Sequence, residues 1–436
     1  MILSARQYIL LRRFVLPLTA ESSHSSCAGK SRCCIIASIE IMVAFSGNWW
    51  YNGNVILIRR VNMNELQELR NEIDATDEEI LRLFLSRMEL CKGVAAYKKA
   101  HDMPVFQGGR EQQIIDRIKA LTADSSLEAG TAALFTTIMD ISKILQNRSI
   151  LGNDRSSFPA PDFAGAKRIG CQGTSGANSE TASRMIFGSK ELIFYRTFED
   201  VFKAVQSGEI DYGVLPVHNS TAGSVDSTYD LLAKYNVFTV RQVCVEINHC
   251  LAAKKGTTLG NLSCVYSHPQ ALAQCSDFLT VNSFRNAEYA NTALAAEMVA
   301  KSADEDRFAA ICSPECAERL GLDIIARDIA DCSVNKTLFV CISRELEVEP
   351  EADAISVMLT IPHTEGSLYR LLTKFYVNGM NLLKIENRPI KDGSFDVRFY
   401  LDFSGKLGNE TVQAVLRDLG ENLEYFRLLG TFRNSD

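Results

Sequence analysis

Residues 211–225 read DYGVLPVHNSTAGSV, an apolar run that passes directly into small polar side chains. A second stretch at residues 266–275, YSHPQALAQC, likewise places hydroxyl, imidazole and amide groups directly after an apolar run. In an α/β protein the strand ends present such groups to a small anionic ligand. We therefore expect an α/β domain whose polar site lies where these two strands end.

The chain around these stretches alternates short strands with helices. We expect strands at RIGCQG, at residues 192–196 and at DYGVLPV, with helices near residues 179–187 and 198–207. A second unit of this kind runs from about residue 244 to residue 327. The alternation predicts an α/β domain with a mostly parallel sheet, and we assign it residues 167–345.

Residues 63–148 instead carry apolar side chains at helical spacing. The pattern predicts one helix of roughly 35 residues over 64–100 and a second helix over 110–121. Ser125 or Ser126 can cap a third helix, which continues to residue 148. A small domain cannot bury the apolar face of so long a helix alone, so this all-α domain is expected to form an intertwined dimer.

Other segments divide the rest of the chain. Residues 149–166 are rich in Ser, Pro, Gly and Ala and read as a linker, as does the acidic stretch at 345–353. Residues 354–434 follow the order β-α-β-β-α-β, which describes a small ferredoxin-like α+β module. We interpret residues 1–62 as an extension, disordered or upstream of a native start at Met63; a targeting segment is the alternative.

Composition excludes several classes of protein. A net charge of −7 without a long basic run argues against a nucleic-acid partner. The apolar runs near the N-terminus are interrupted by charges and fall short of the roughly 18 residues of a spanning helix, so we expect no membrane partner. The 13 cysteines are scattered and show no zinc-binding spacing, which favours reduced thiols, no bound metal and a cytoplasmic location.

Four cations stand out in the helical domain. Arg87 and Lys98 are 11 residues apart and therefore differ by only about 20° around an ideal helix. Arg70 precedes Arg87 by 17 residues, which puts it roughly 25 Å away along the axis. If both arginines serve one site, Arg70 must come from a partner chain. The fourth cation, Arg110, begins the second predicted helix.

Residues 63–148 resemble the all-helical chorismate mutases through ELRNEIDATDEEILRLFLSRMELCKGVAAYKKAHDMPV, GRE and DISKILQ. The resemblance implies a pericyclic rearrangement of chorismate to prephenate, which needs no cofactor and no nucleophile. The implied carboxylate ligands are Arg70, Arg87 and Arg110. Lys98 and Gln146 would donate to the ether oxygen, where negative charge develops. Glu111 and Ser142 would orient the ring that bears the hydroxyl.

Residues 168–343 resemble the prephenate dehydratases, because CQGTSGANSE, PVHNSTAGSV, INHCL, YSHPQALAQC and NKTLF follow one another in that family's order. The resemblance implies two lobes, similar to periplasmic binding proteins, with prephenate in the cleft. Thr337 would be the key catalytic residue as prephenate loses CO₂ and its ring hydroxide. The other implied site residues are His218, Asn219, Ser220, Ser267, His268, Gln274 and Thr292.

Two positions depart from the dehydratase pattern. His218 stands where the family has a glutamate, and Leu338 stands where it has an arginine. An imidazole near its usual pKa can still donate a proton near neutral pH. We hypothesise that the family's carboxylate and guanidinium form an ion pair, in which case the two changes compensate each other.

Residues 354–434 resemble an ACT domain, since HTEGSLYRLL and IENRPI stand where that family binds its effector. The resemblance implies that phenylalanine binds at a subunit interface and lowers dehydratase activity. The implied effector-binding residues are Gly366, Ser367, Leu368, Glu386, Asn387, Arg388 and Pro389.

The resemblances together predict a chorismate mutase joined to a prephenate dehydratase, which makes phenylpyruvate for phenylalanine synthesis and forms a homodimer or higher oligomer. Two alternatives stay open. The α/β domain is a catalytically weak binding or regulatory module, because of His218 and Leu338. Otherwise it is an arogenate dehydratase, which has the same pocket for a substrate with an amino group.

Overall fold

The computed structural model describes residues 63–151, 157–332, 334–390 and 397–434, with four two-residue strands ahead of them. Those strands form two separate antiparallel pairs, the first between Ser38–Ile39 and Val55–Ile56. The predicted extension at residues 1–62 otherwise lies outside the described residues. The chain divides into two compact units, Met1–Leu81 and Arg82–Asp436. No helix among the described residues is long and apolar enough to cross a membrane.

Three helices follow the pattern predicted for the all-α region. They are α1 (Met63–Ala100), α2 (Gly108–Leu121) and α3 (Glu128–Leu151). The overlong first helix is confirmed, with 38 residues. The predicted cap is wrong, because Asp124 takes that role: its carboxylate accepts the backbone N–H of Ser126 at 2.9 Å. A 3₁₀ turn, Ser125–Leu127, then leads into α3.

Helix α1 exposes many apolar side chains. Leu83, Leu85 and Leu90 are 53%, 56% and 71% exposed. Other exposed apolar side chains on this helix are Leu66, Leu69, Ile73, Ile80, Leu81, Val94 and Tyr97. Leu83, Leu90, Val94 and Tyr97 follow one another at spacings of seven, four and three residues and so share one face of the helix, and an exposed apolar face of this kind marks an interaction surface.

The α/β region forms two lobes, each with its own sheet. Its elements are β1 (Ile169–Gln172), α4 (Asn178–Phe187), β2 (Leu192–Tyr195), α5 (Phe198–Ser207), β3 (Tyr212–Asn219), β4 (Gly223–Ser224), α6 (Asp226–Lys234), β5 (Phe238–Glu246), β6 (Cys250–Ala253), β7 (Cys264–Ser267), α7 (Pro269–Ala273), α8 (Ser276–Val281), β8 (Asn286–Glu288), α9 (Thr292–Lys301), β9 (Phe308–Cys312), α10 (Pro314–Arg319), β10 (Asp323–Ala326) and β11 (Lys336–Ser343). The first lobe has the strand order β2-β1-β3-β11-β5, and the second has β8-β7-β9-β6-β10.

The sheets of the two lobes are mixed, so the prediction of a mostly parallel sheet is wrong. Strands β1, β2 and β3 are parallel, but β11 pairs antiparallel with both β3 and β5. In the second lobe β6 is antiparallel to β9 and β10. The reason is the chain path: β11 brings the chain back from the second lobe, so it enters the first sheet from the opposite end.

Strand β11 is buried on both faces, which explains its continuous apolar sequence. Phe339 and Cys341 pack with α4 on one face of the sheet, whereas Val340 and Ile342 pack with α5 and α6 on the other. Thr337 precedes these core residues and lies at the N-terminal end of β11, where the chain returns from the second lobe.

The C-terminal module has the predicted β-α-β-β-α-β order. Its elements are β12 (Ala354–Thr360), α11 (Ser367–Tyr376), β13 (Leu382–Pro389), β14 (Val397–Ser404), α12 (Glu410–Asn422) and β15 (Phe426–Phe432). Strand β15 runs parallel to β5 of the first lobe, through the pair Gly430 and Thr239. The module and the first lobe therefore share one continuous sheet of ten strands.

Described residues of both predicted linkers are packed against the first lobe. Phe163 contacts the rings of Phe187 and Tyr212. In the acidic stretch, Glu349 forms an ion pair with Arg241, which also lies over the Phe163 ring. At Glu349, therefore, this predicted linker is attached to the first lobe.

Candidate active sites

The crossing of α1 and α3 brings Arg87 and Ser142 together. The Arg87 guanidinium Nη1 donates to Ser142 Oγ at 2.5 Å, and Ser142 Oγ donates to the carbonyl oxygen of Ile138 at 2.7 Å. Ser142 is buried, whereas Arg87 is half-buried. The guanidinium is therefore held at the helix crossing with part of its donor set still accessible.

Lys98 lies near the end of α1 with only 8% of its surface exposed. Its Nζ donates to the carbonyl oxygen of Val105 at 2.6 Å, which leaves two further N–H groups available. Burial lowers the pKa of this ammonium, although the nearby Glu111 carboxylate opposes the change. Such a desolvated cation interacts strongly with any negative charge beside it.

Gln146 and Asn147 on α3 carry buried polar atoms that are not hydrogen-bonded. Among the described residues, no hydrogen-bond partner is found for Gln146 Oε1 or for either side-chain polar atom of Asn147. Leaving such groups unpaired costs about 1–3 kcal/mol each, so native proteins rarely leave them so. A ligand or a second chain at this place would satisfy them. Asn147 was not among the residues predicted from sequence.

Glu111 on α2 reaches Lys143 on α3, where its Oε1 lies 3.1 Å from Nζ. Sequence reasoning missed Lys143, although its polar neighbours at i−3 and i+4, Asp140 and Asn147, were a usable signal. Arg110 is exposed. Arg70 is also exposed.

A second group of polar side chains surrounds Asn219 at the end of β3. Its Nδ2 donates to Thr337 Oγ1 at 2.9 Å and to Asn335 Oδ1 at 2.8 Å. Its Oδ1 accepts from the backbone N–H and hydroxyl of Thr221 and from the backbone N–H of Ala222. Asn219 is 5% exposed, so this network fixes its amide and the Thr337 hydroxyl in one arrangement.

Gln274 joins this network from the second lobe. Its Nε2 donates to Thr221 Oγ1 at 2.6 Å, and its Oε1 accepts from Asn335 Nδ2 at 3.1 Å. His249 Nε2 lies 2.9 Å from the same Oε1. Burial lowers the pKa of His249, so the ring is neutral near neutral pH and donates through Nε2. The cleft between the lobes is therefore bridged by hydrogen bonds.

Sequence reasoning missed Thr221, His249 and Asn335 as members of this network. Each lies inside a motif that carried the family resemblance, so the signal was present but was read only at neighbouring positions. Ser220 lies at the margin, and its Oγ accepts the backbone N–H of Lys336 at 2.9 Å.

The remaining predicted dehydratase residues lie in the second lobe. Ser267 is completely buried and donates to the carbonyl oxygen of Ile311 at 2.7 Å. The prediction that it lines the pocket is therefore wrong, because its side chain points into the core of the lobe. His268 caps α7, where its Nδ1 accepts the backbone N–H of Gln270 at 3.3 Å. Thr292 is the half-buried first residue of α9.

His218 is not brought into the network of Asn219. Strand β3 has a β-bulge at Val217. On one side of the bulge Pro216 pairs with Phe339, and on the other His218 pairs with Leu338. Because Asn219 pairs with Thr337, the next strand position, His218 points to the opposite face of the sheet. The expectation that His218 lines the same pocket as Asn219 is thus wrong.

On that opposite face, His218 contacts the C-terminal module. Its Nδ1 lies 3.4 Å from Ser224 Oγ, and Ser224 donates to the carboxylate of Glu386 on β13. Burial and the Lys384 ammonium lower the pKa of His218, whereas Glu386 opposes the change. Leu338 pairs directly with His218, so the two departures from the family pattern are neighbours.

The predicted effector-binding residues fall into two groups. On β13, Arg388 forms ion pairs with Asp226 at 2.5 Å and Asp230 at 3.5 Å on α6, while Asn387 and Pro389 are exposed. The other group precedes and begins α11: Gly366 has a φ of +75°, Leu368 is 41% exposed, and Ser367 Oγ lies 2.7 Å from Thr364 Oγ1. Among the described residues, no cluster of His, Cys, Asp and Glu fit to hold a metal ion is found.

Two family models match this chain in separate regions. The model described as "Chorismate mutase type II" matches residues 69–147, and "Prephenate dehydratase" matches residues 169–347. The first region contains Arg87, Lys98 and Ser142, and the second contains Asn219 and Thr337.

Whole proteins show the same pair of regions on one chain. A "Bifunctional chorismate mutase/prephenate dehydratase" of Aquifex aeolicus is 31% identical over 85% of this chain and 98% of its own length. An "Arogenate dehydratase/prephenate dehydratase 1, chloroplastic" of Arabidopsis thaliana is 36% identical over 61% of this chain and 71% of its own length. A solved prephenate dehydratase of Arthrobacter aurescens in complex with L-Phe is 27% identical, with a TM-score of 0.57, and covers 61% of this chain and 90% of that one.

Proposed function

This chain belongs to the family of bifunctional chorismate mutase/prephenate dehydratases, and we propose that the two polar groups described above are its two active sites. Chorismate is rearranged to prephenate at the first, and prephenate is converted to phenylpyruvate at the second. The observation that carries the assignment is that each matched region contains its own buried polar constellation. One is built around Arg87 and Lys98, and the other is built around Asn219 and Thr337.

The mutase reaction is unimolecular, so the protein contributes binding and electrostatic stabilisation. Arg87 and Arg110 hold the substrate carboxylates. Lys98 donates one of its free N–H groups to the ether oxygen, and the amide of Gln146 donates to the same atom. Glu111 orients the ring hydroxyl, together with Ser142. The buried, unpaired position of this amide is Oε1, an acceptor, and rotating the amide by 180° places Nε2 there as the donor that the ether oxygen requires.

A second copy of the chain is the partner that completes the mutase site. Its Arg70 supplies the remaining carboxylate ligand, since 17 positions on one helix separate Arg70 from Arg87. The exposed apolar face of α1 supports a dimer, because a face with Leu83, Leu90 and Val94 open to water is costly in a monomer. Light scattering of the intact protein tests this, and a monomeric mass at micromolar concentration contradicts it.

The dehydratase reaction needs a donor for the departing hydroxide. Thr337 Oγ1 accepts a hydrogen bond from Asn219, which leaves its own O–H free to donate to the leaving oxygen. Gln274 and Asn219 close the cleft from opposite lobes. Ser220, His268 and Thr292 are pocket residues around this centre.

The side chain of His218 takes part in the contact between the first lobe and the C-terminal module, and it lies away from the groups that react. Since it lies on the opposite face of β3 from Asn219, an imidazole in place of a carboxylate leaves the Thr337 network intact. This argues against the alternative of a catalytically weak second domain. Arogenate remains a second candidate substrate, because the 36% identical relative carries both names.

The C-terminal module is the regulatory part, with the ACT fold and phenylalanine as its effector. Support comes from β13, whose Glu386 and Arg388 contact β4 and α6 of the dehydratase directly. A phenylalanine complex of a related dehydratase supports the same effector. The effector contacts Gly366, Ser367 and Leu368 at the start of α11. Because β13 contacts the dehydratase, ligand binding in the module changes the position of β3 and β4.

We propose a cytoplasmic location. The cysteines that the structure describes are all free, as expected in a reducing compartment.

Purified protein given prephenate tests the dehydratase assignment. We expect phenylpyruvate, detected by its absorbance in alkali, and lower rates when phenylalanine is added. If no phenylpyruvate is formed above background, the dehydratase assignment is wrong and only the mutase activity remains. Equal amounts of prephenate and arogenate in one reaction decide the substrate, since faster loss of arogenate would favour the second candidate.

A further inference from the structure

Five alternately charged side chains form a continuous chain between α2, α3 and the C-terminal module. Glu111 lies 3.1 Å from Lys143, and Lys143 lies 2.9 Å from Asp140. Asp140 lies 3.4 Å from Lys374 on α11, and Lys374 lies 2.5 Å from Asp418 on α12. This series of ion pairs therefore begins at a residue of the mutase site and ends inside the module.

The four members other than Glu111 are buried. The exposed fractions of the side chains of Lys143, Asp140, Lys374 and Asp418 are 6%, 3%, 8% and 1%. Burial alone would raise the pKa of Asp140 and lower that of Lys143, but the opposite charges beside them reverse both shifts. Asp140 and Lys143 are thus charged near neutral pH. Removing one member leaves its neighbour as an uncompensated buried charge.

Glu111 is the most exposed of the five side chains. Its side chain is 18% exposed, and it borders a cavity of about 290 Å³ between the helical region and the module. Met139 and Leu371 also line that cavity. Other rotamers of Glu111 are therefore open to it, and the ion pair with Lys143 selects one of them. The cations Arg370 and Lys374 also line the cavity, but both are paired with Asp140, whereas Lys143 pairs with Glu111 directly.

We propose that Lys143 is a positioning residue for Glu111 in the mutase site, and that Lys374 and Asp418 of the C-terminal module hold Lys143 in place through Asp140. The inference rests on the proposed role of Glu111 in orienting the substrate ring. It makes the module part of the structure that shapes the mutase site, in addition to its contact with the dehydratase.

The test uses the full chain and a double-mutant cycle. Lys143→Gln is expected to lower mutase kcat/KM about 10- to 100-fold, because displacing a group by about 1 Å costs that order of rate. Asp418→Asn keeps its shape and removes the distal charge, and it is expected to lower the mutase rate several-fold. In a Glu111→Gln background both changes are expected to have less than twofold effect, because nothing is left to position.

Lys119→Gln is the matched control. Lys119 forms an exposed ion pair with Glu128 on the same helices, outside the chain, and its loss should leave the mutase rate unchanged. Dehydratase rate in each variant reports whether the protein has folded. If the effects of Lys143→Gln and Glu111→Gln multiply, the positioning role is overturned. If Glu111→Gln itself leaves the mutase rate unchanged, the proposed role of Glu111 falls, and this inference falls with it.

Discussion

At the scale of single residues, hydrogen bonds with neighbouring groups hold the polar side chains of both sites in one orientation. Asn219 directs the Thr337 hydroxyl by donating to its oxygen. Lys98 keeps two N–H groups because only one is used by Val105. Since the partners are backbone or amide groups, neither arrangement depends on the protonation state of a neighbour.

The pH dependence of the mutase follows from Lys98. Burial lowers the pKa of this ammonium, and the charged form is the one that donates to the ether oxygen. We therefore expect mutase kcat/KM to fall as pH rises, beginning below the range in which an ordinary lysine loses its proton. A Lys98→Arg variant keeps its charge and should lose this alkaline limb of the profile. A wild-type rate that stays flat through the usual lysine range contradicts the assignment.

The pairing of Leu338 with His218 makes a coupled prediction. Leu338→Arg alone places a guanidinium beside an imidazole and Lys384, where the nearby Glu386 carboxylate already accepts from Ser224, so we expect lower stability and lower dehydratase rate. His218→Glu together with Leu338→Arg restores an ion pair across the strands. We expect the double variant to exceed the product of the single effects by at least fivefold, or about 1 kcal/mol. Purely additive effects would show that the two changes are independent.

At the scale of elements, the sheet shared by the C-terminal module and the first lobe depends on one close contact between β15 and β5. Gly430 of β15 has a φ of +144°, and a Cβ there would lie 1.9 Å from the backbone oxygen of Thr239 on β5. A side chain at this position would therefore separate the module's sheet from that of the first lobe. Nothing in the local sequence FRLLGTF reveals this, because the partner strand is almost 200 residues away.

Gly430→Ala is expected to destabilise the protein by about 3 kcal/mol, from strain at positive φ and loss of the strand contact. Urea unfolding followed by circular dichroism measures the change. Gly260→Ala is the control, because a Cβ there meets open space, and it should change stability by less than about 0.5 kcal/mol. A Gly430→Ala variant as stable as the control would contradict the shared sheet.

Periodicity predicted the long elements well. The spacing of apolar residues gave α1 its limits, and the order of elements in the module was correct. The prediction failed where tertiary contacts decide. The bulge at Val217, which sets the pairing of His218 with Leu338, is marked by no pattern in the sequence, although the opposite faces of His218 and Asn219 follow from strand alternation alone. The burial of Ser267 and the partner of Lys143 likewise depend on distant strands and helices.

At the scale of the whole molecule, the C-terminal module contacts both enzymatic regions. Its β13 meets the dehydratase through Glu386 and Arg388, and its α11 and α12 meet α3 through Lys374 and Asp418. A single substitution in the module can therefore affect both the mutase site and the dehydratase site. The dehydratase site and the module also share one sheet, which makes independent motion of the two costly.

The central claim is that one chain carries chorismate through to phenylpyruvate, and a single measurement tests it. Full-length protein is given chorismate alone, and prephenate and phenylpyruvate are followed together by chromatography. We expect the wild type to produce phenylpyruvate, whereas a Thr337→Ala variant consumes chorismate at the wild-type rate but accumulates prephenate, with dehydratase activity lowered about 100-fold or more. A wild type that also stops at prephenate, or that leaves chorismate unchanged, would contradict the account.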